Sequence, residues 1–276
     1  MFKTIIDSNV LLNQLEDDDL VIFDVRYDLM DKVAGRKAYL QSHIPSAIYV
    51  DLSLDLSRSP STNLSRHPLP DNETMNTLFS ELGVNRNKQV IVYDDAFGSI
   101  AARLWWMLNH MGHENVAVLD GGWSQWINLG GPVCSKDEKP KLTKFNNTSL
   151  NNDVVNIHQV SNFNLIIDSR EPSRYSGELE PIDKRAGHIP NAINRFWKNN
   201  LSTTGCFKEQ NILLQEFKEL FGEVPSEDVV FYCGSGVTAC HNLLATVHAG
   251  FNPSRLYAGS WSEWSATPGR GIETSN

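Results

Sequence analysis

The chain repeats itself. "VIFDVR" (Val21–Arg26) returns as "LIIDSR" (Leu165–Arg170), and "SHIPSAI" (Ser42–Ile48) as "GHIPNAI" (Gly187–Ile193). "VIVYDD" (Val90–Asp95) returns as "VVFYCG" (Val229–Gly234), and "GGWSQW" (Gly121–Trp126) as "GSWSEW" (Gly259–Trp264). Asp24 and Asp168 lie 144 residues apart, and Trp126 and Trp264 lie 138 apart. Four matches in one order at nearly one spacing describe a duplicated domain, so each half must bury its own core. A chain of 276 residues is long enough for two such cores.

Within each copy, short Val/Ile-rich runs alternate with helix-like stretches. Leu20–Val25, Gln89–Tyr93 and Val116–Leu119 read as strands. Glu73–Leu82 and Ile100–Met111 read as helices, the second with Leu104, Met107, Leu108 and Met111 on one stripe. Continuous apolar strands separated by helices give an α/β fold, a mostly parallel sheet with helices on both faces, once in each copy. Between the copies, Cys134–Asp153 is rich in Lys, Asp, Asn and Ser and reads as an exposed linker. The boundary falls near Thr148, giving domains 1–147 and 148–276.

A net charge of -9 and a pI near 5.4, with no run of Lys and Arg, exclude a nucleic-acid surface. An anionic ligand must therefore be held locally. Cys134, Cys206, Cys233 and Cys240 form neither a disulfide framework nor paired CxxC groups, and no His/Cys/carboxylate cluster has metal-ligand spacing, so no metal is expected. The N-terminus shows no apolar run behind a basic start, and no segment approaches about 18 apolar residues, so a soluble cytoplasmic protein is expected.

The two copies differ at one telling place. The strand ending at Tyr93 runs into "DDAFGS", and the one ending at Tyr232 into "CGSGVT", so Asp94 stands where Cys233 stands. Only the second copy can run thiol chemistry there. Ligands of α/β sheets bind beyond the carboxyl ends of the strands, where a loop entering a helix presents unpaired N–H groups. If Gly234–Thr238 curl around the sulfur, those donors and the helix dipole stabilise a thiolate. Gly234 and Gly236 would let the backbone take tight or positive-φ conformations. Cys240, two turns into the helix, reads as a packed core residue, and Cys134 and Cys206 carry no assigned chemistry. A cysteine phosphatase of the C-x5-R type is excluded because the position six residues after the cysteine is Ala239.

"CGSGVT" after a strand, "SHIP" and "GHIP", and "LDGGWSQW" and "AGSWSEW" in tandem resemble the rhodanese superfamily of sulfurtransferases, and within it the 3-mercaptopyruvate-using enzymes. The resemblance spans all but the linker and the C-terminal tail. It implies that Cys233 attacks the sulfur of a small-molecule donor, that pyruvate leaves as its enolate, and that a persulfide passes its outer sulfur to cyanide or a thiol. The acceptor would be thioredoxin or a low-molecular-weight thiol, and no cofactor is needed. Loop N–H groups of Gly234, Ser235, Gly236, Val237 and Thr238 would bind the sulfur centre. The uncharged Gly234-Ser235 pair favours a donor with one carboxylate over dianionic thiosulfate, the runner-up. A module that carries sulfur or senses oxidation without turnover is the reading from another class.

By the same resemblance Arg174 binds the donor carboxylate. The family's second arginine falls on Ile182 here, with Lys184 and Arg185 as substitutes. A Ser-His-Asp relay matches Ser235 and His67; the Asp position falls on Ser53, flanked by Asp51 and Asp55, and Asp55 is the candidate, with a turn-capping role as its alternative. The site is expected where the two domains meet. His43 and His188, and Asp24 and Asp168, occur in both copies and so read as fold elements rather than catalysts. The pairs Trp123/Trp126 and Trp261/Trp264 read as helix faces packing onto each sheet.

Overall fold

The computed structural model describes residues 1–59, 65–146 and 153–275. The boundary expected near Thr148 lies outside them. In the first half the strands are β1 (Ile5–Ile6), β2 (Leu20–Asp24), β3 (Ile48–Tyr49), β4 (Gln89–Tyr93) and β5 (Val116–Leu119). The helices are α1 (Ser8–Leu12), α2 (Ala34–Gln41), α3 (Asn72–Glu81), α4 (Ala101–His110) and α5 (Gly122–Asn128). The second half has strands β6 (Val154–Val155), β7 (Leu165–Asp168), β8 (Ile193–Asn194), β9 (Val229–Tyr232) and β10 (Arg255–Tyr257). Its helices are α6 (Pro172–Ser176), α7 (Gln210–Phe221), α8 (Ala239–His248) and α9 (Ser260–Ala266).

Each half forms a parallel five-stranded sheet of the same order, β1-β5-β4-β2-β3 in the first and β6-β10-β9-β7-β8 in the second. The most continuous apolar runs, QVIVY of β4 and VVFY of β9, are buried along their whole length and take the central place. That is what a sheet covered on both faces demands of its middle strand. Their carboxyl ends are Tyr93 and Tyr232, so the next residues, Asp94 and Cys233, stand at the mid-edge of each sheet.

The described residues group into two compact units. One comprises Met1–Ser57, Pro70–Asn151 and Thr204–Cys206; the other comprises Arg58–Leu69, Asn152–Thr203 and Phe207–Asn276. Two short segments thus belong to the unit opposite to their place in the chain, and Arg58–Leu69 joins the cysteine-bearing one.

The repeated residues build the same joint in each unit. Asp24 accepts the Arg26 backbone N–H, the Arg26 guanidinium and the Tyr93 hydroxyl. Asp168 does the same for Arg170 and Tyr232. Each guanidinium lies over a tryptophan of the next signature, Arg26 over Trp123 at 4.4 Å and Arg170 over Trp261 at 4.7 Å. His43 and His188 stack on Tyr39 and Tyr175 at 3.9 Å and hydrogen-bond the same tyrosines' carbonyls through Nδ1. Both histidines are buried and each anchors an antiparallel bridge, His43 to Cys134 and His188 to Glu273. The tryptophans of α5 and α9 pack in the sheet cores, Trp126 and Trp261 without exposure.

Two expectations need correction. The segment after Cys134 is not simply an exposed linker. Thr143 bonds Ser80 O and Val84 O, and Phe145, 5% exposed, packs edge-on against Phe79 at 5.1 Å. A single aromatic in a polar run is enough to dock it. Helix α4 is buried on nearly every face rather than along one stripe, and it begins at Ala101, because Asp94 holds the N–H groups of Ile100 and Ala101.

Candidate active site

The first unit displays the loop with an anion in it. Asp94 Oδ1 accepts the N–H groups of Ala96 and Gly98, and Oδ2 those of Ile100 and Ala101, each at 2.8 Å. Four donors on one carboxylate make an anion cradle at the entrance to α4. Trp123 N–H ties the cradle down by donating to Asp94 O at 2.8 Å.

The second unit repeats the frame around a thiol. Cys233 is 2% exposed at the end of β9. Its N–H donates to Ser260 Oγ, which donates onward to Tyr257 O. Its carbonyl accepts from Trp261 N–H at 3.0 Å, and Gly234 O accepts from Ser262 N–H at 2.9 Å. The GSWS run therefore does more than pack a helix: it fixes the backbone at the thiol from both sides. Val237 is buried and Thr238 is the N-cap of α8. Cys240 is fully buried and donates its S–H to Gly236 O at 3.4 Å, a core residue as expected.

The two loop glycines are needed for different reasons. Gly236 has φ +77°, and a Cβ there would meet Ala258 O at 2.5 Å. Gly234 has no positive φ, contrary to a shared backbone explanation for the pair. A Cβ on it would meet Arg66 Nη2 at 2.8 Å and Arg174 Nη1 and Nη2 at 3.5 and 3.7 Å. The missing Cβ of Gly234 leaves its face to two guanidiniums.

Residues 65–67 bring a second strand of chain to this loop. His67 Nδ1 and Ser235 Oγ are hydrogen-bonded at 2.9 Å, both residues buried. Ser65 Oγ donates to Ser235 O, and Arg66 N–H to Ser262 Oγ. The serine and histidine singled out in the sequence thus meet across 168 residues. Asp55 belongs to the first unit. Its carboxylate accepts the Asp51 N–H and closes the turn after β3, and burial raises its pKa.

The charges beside the loop form a ladder. Asp168 holds Arg170, and Arg170 Nη1 reaches Glu180. Glu180 takes Arg174, and Arg174 Nη2 reaches Asp183 at 3.2 Å. Asp183 in turn accepts from Arg66 Nη1. Burial disfavours ionised Glu180, but hydrogen bonds from Arg174 and from the Asp183 and Ile182 N–H groups outweigh it and leave its pKa lowered. At Asp183 burial outweighs the pull of Arg66 and Arg174, and the pKa is raised.

Sequence reading missed Arg66. Its one signal was adjacency to His67, since nothing in the spacing shows that "SRHPLP" folds onto a loop far along the chain. The substitutes considered for the second arginine make other contacts or face solvent. Lys184 is exposed, and Arg185 donates to the carbonyls of Trp264, Ser265 and Thr267, closing the C-terminus of α9. Ile182 is about half exposed. An uncharged loop sequence therefore coexists with two guanidiniums at its face, both supplied by other segments.

No helix among the described residues is long and apolar enough to cross a membrane, and no group of three metal-ligating side chains occurs among them. The rhodanese-like domain model matches residues 7–129 and again 151–267. Over 271 residues the chain is 39% identical to a Pseudomonas aeruginosa protein named "Probable 3-mercaptopyruvate sulfurtransferase", covering 96% of this chain and 95% of that one. It is 32% identical over 241 residues to the thiosulfate sulfurtransferase of Rattus norvegicus, covering 83% and 80%. Among solved structures, the 3-mercaptopyruvate sulfotransferase of Escherichia coli aligns with a TM-score of 0.79 at 33% identity, covering 95% of this chain and all of that one. The paired sheets, the repeated joints and these matches agree: the chain is a tandem-domain sulfurtransferase of the rhodanese family.

Proposed function

We propose that this protein moves sulfur from 3-mercaptopyruvate through a Cys233 persulfide to a thiol, releasing pyruvate. Cys233 is the nucleophile. Its sulfur attacks the donor sulfur and the donor's C–S bond breaks. The electron pair of that bond passes to pyruvate enolate, which takes up a proton. The persulfide's outer sulfur then passes to thioredoxin, a small thiol or cyanide, restoring the thiolate. N–H groups of Gly234, Ser235, Gly236, Val237 and Thr238 hold the sulfur anion, as the first unit's loop holds Asp94.

The observation that carries the reading is the convergence of Arg66 and Arg174 on the face of Gly234, the residue after the nucleophile, where a donor carboxylate would lie. Ser235 and His67 supply the proton to the enolate through their hydrogen bond. The relay's acid position falls on Ser53 by the resemblance, and the flanking Asp55 is the proposed candidate for that role. The thiosulfate reading has support in relatives of that name, but Arg66 and Arg174 are already compensated by Asp183 and Glu180, which suits a monoanion better.

Initial rates with each donor, with cyanide as common acceptor, test the assignment. A kcat/KM for 3-mercaptopyruvate well above that for thiosulfate supports it, with one pyruvate formed per sulfur transferred. A wide margin for thiosulfate overturns it, and absence of turnover on both returns the protein to a sulfur-carrying or sensing role.

A further inference from the structure

We infer that Asp183 is the residue that sets donor selectivity, by fixing the charge and the number of N–H faces that Arg66 and Arg174 present to the substrate. The inference rests on the proposed donor site and deepens it.

Asp183 is placed for this task. Its side chain is 5% exposed, and it accepts from Arg66 Nη1 through Oδ1 and from Arg174 Nη2 through Oδ2 at 3.2 Å. One carboxylate thus spans the two cations that crowd Gly234. Among the described residues, Arg66 Nη2 and Arg174 Nη1 have no hydrogen-bond partner, and they are among the atoms nearest the Gly234 face. Two such N–H groups match the two oxygens of one carboxylate.

The charge count runs the same way. Arg66 and Arg174 at the substrate face are matched one for one by Asp183 and Glu180. Along the whole ladder, Arg66, Arg174 and Arg170 are balanced by Asp183, Glu180 and Asp168. A singly charged 3-mercaptopyruvate adds one negative charge to that neutral ladder and is held by the two directed N–H faces. Thiosulfate brings a second negative charge against the nearby Asp183, in a setting where like-charge juxtaposition is poorly screened. Selectivity then comes from a resident repulsive group rather than from an uncharged loop alone. Asp183 does not touch the reacting atoms; it acts through the two arginines.

The experiment is D183N, a change of charge at constant shape, with kcat/KM measured for both donors at several ionic strengths. Thiosulfate kcat/KM should rise about tenfold with a steeper salt dependence, while that for 3-mercaptopyruvate should change less than about threefold. The double variant R66Q/D183N restores the wild-type net charge and should return the donor ratio toward the wild-type value. A D183N ratio within about twofold of wild type overturns the inference, as does a parallel fall for both donors, which marks a merely structural role. If wild-type protein makes no pyruvate from 3-mercaptopyruvate, the proposed function fails instead, and the thiosulfate arm still decides the role of Asp183. Should D183N fail to fold, Asp183→Ser, which removes the charge and keeps an acceptor, is read by the same donor ratio: a rise for thiosulfate supports the inference, and a ratio within about twofold of wild type overturns it.

Discussion

Gly234→Ala isolates the donor clamp from the fold. The added methyl would sit 2.8 Å from Arg66 Nη2, too close for any real Cβ contact, and 3.5 Å from Arg174 Nη1, an ordinary contact. The atom that must yield is therefore the tip of Arg66, a flexible side chain that is 31% exposed. The backbone has no reason to move, since Gly234 has no positive φ. Displacing Arg66 loosens its partly exposed pair with Asp183, which costs about 0–1 kcal/mol of stability. At the donor it removes one charge-assisted hydrogen bond to the carboxylate, about 1.5–3 kcal/mol. That converts to roughly a ten- to hundredfold loss in kcat/KM for 3-mercaptopyruvate, carried mainly by KM. Steady-state kinetics and thermal unfolding on the same preparation read both quantities. The reasoning is refuted by an unchanged KM, or by a loss of several kcal/mol in stability.

Two further changes probe the rest of the site and its counterpart. Ser235→Ala removes the hydrogen bond to His67 Nδ1, and steady-state kinetics should show kcat falling about a hundredfold with KM changed less than about threefold if the pair delivers the enolate's proton. Asp94→Asn places an amide NH2 against two of the four N–H donors in the first unit's loop. About 3 kcal/mol should be lost, read as a lowered urea midpoint.

The fold was legible because the duplication and the apolar central strands are local patterns: β4 and β5 span the expected residues, and α3 and α4 lie within one residue of theirs. The contrast of Asp94 with Cys233 was readable for the same reason, as two loops at one position of a repeat. What sequence could not supply was tertiary placement. Nothing in "SRHPLP" states that residues 58–69 join the second unit, so Arg66 went unnoticed while His67 was found by resemblance alone. Gly234 looked like a backbone requirement because its crowding partners come from positions 66 and 174. Phe145 docks onto Phe79 through a contact that composition averages away. Ser260 and Trp261 fix the Cys233 backbone, a duty hidden inside what read as a packing motif.

The persulfide itself can be weighed. Protein incubated with 3-mercaptopyruvate without an acceptor, then analysed by intact mass and peptide mapping, should carry one added sulfur atom on Cys233 with an equal amount of pyruvate in solution. Cyanide should then remove that sulfur. Sulfur found on Cys134, Cys206 or Cys240 instead, or a Cys233→Ser variant that still releases pyruvate at the wild-type rate, would contradict the mechanism.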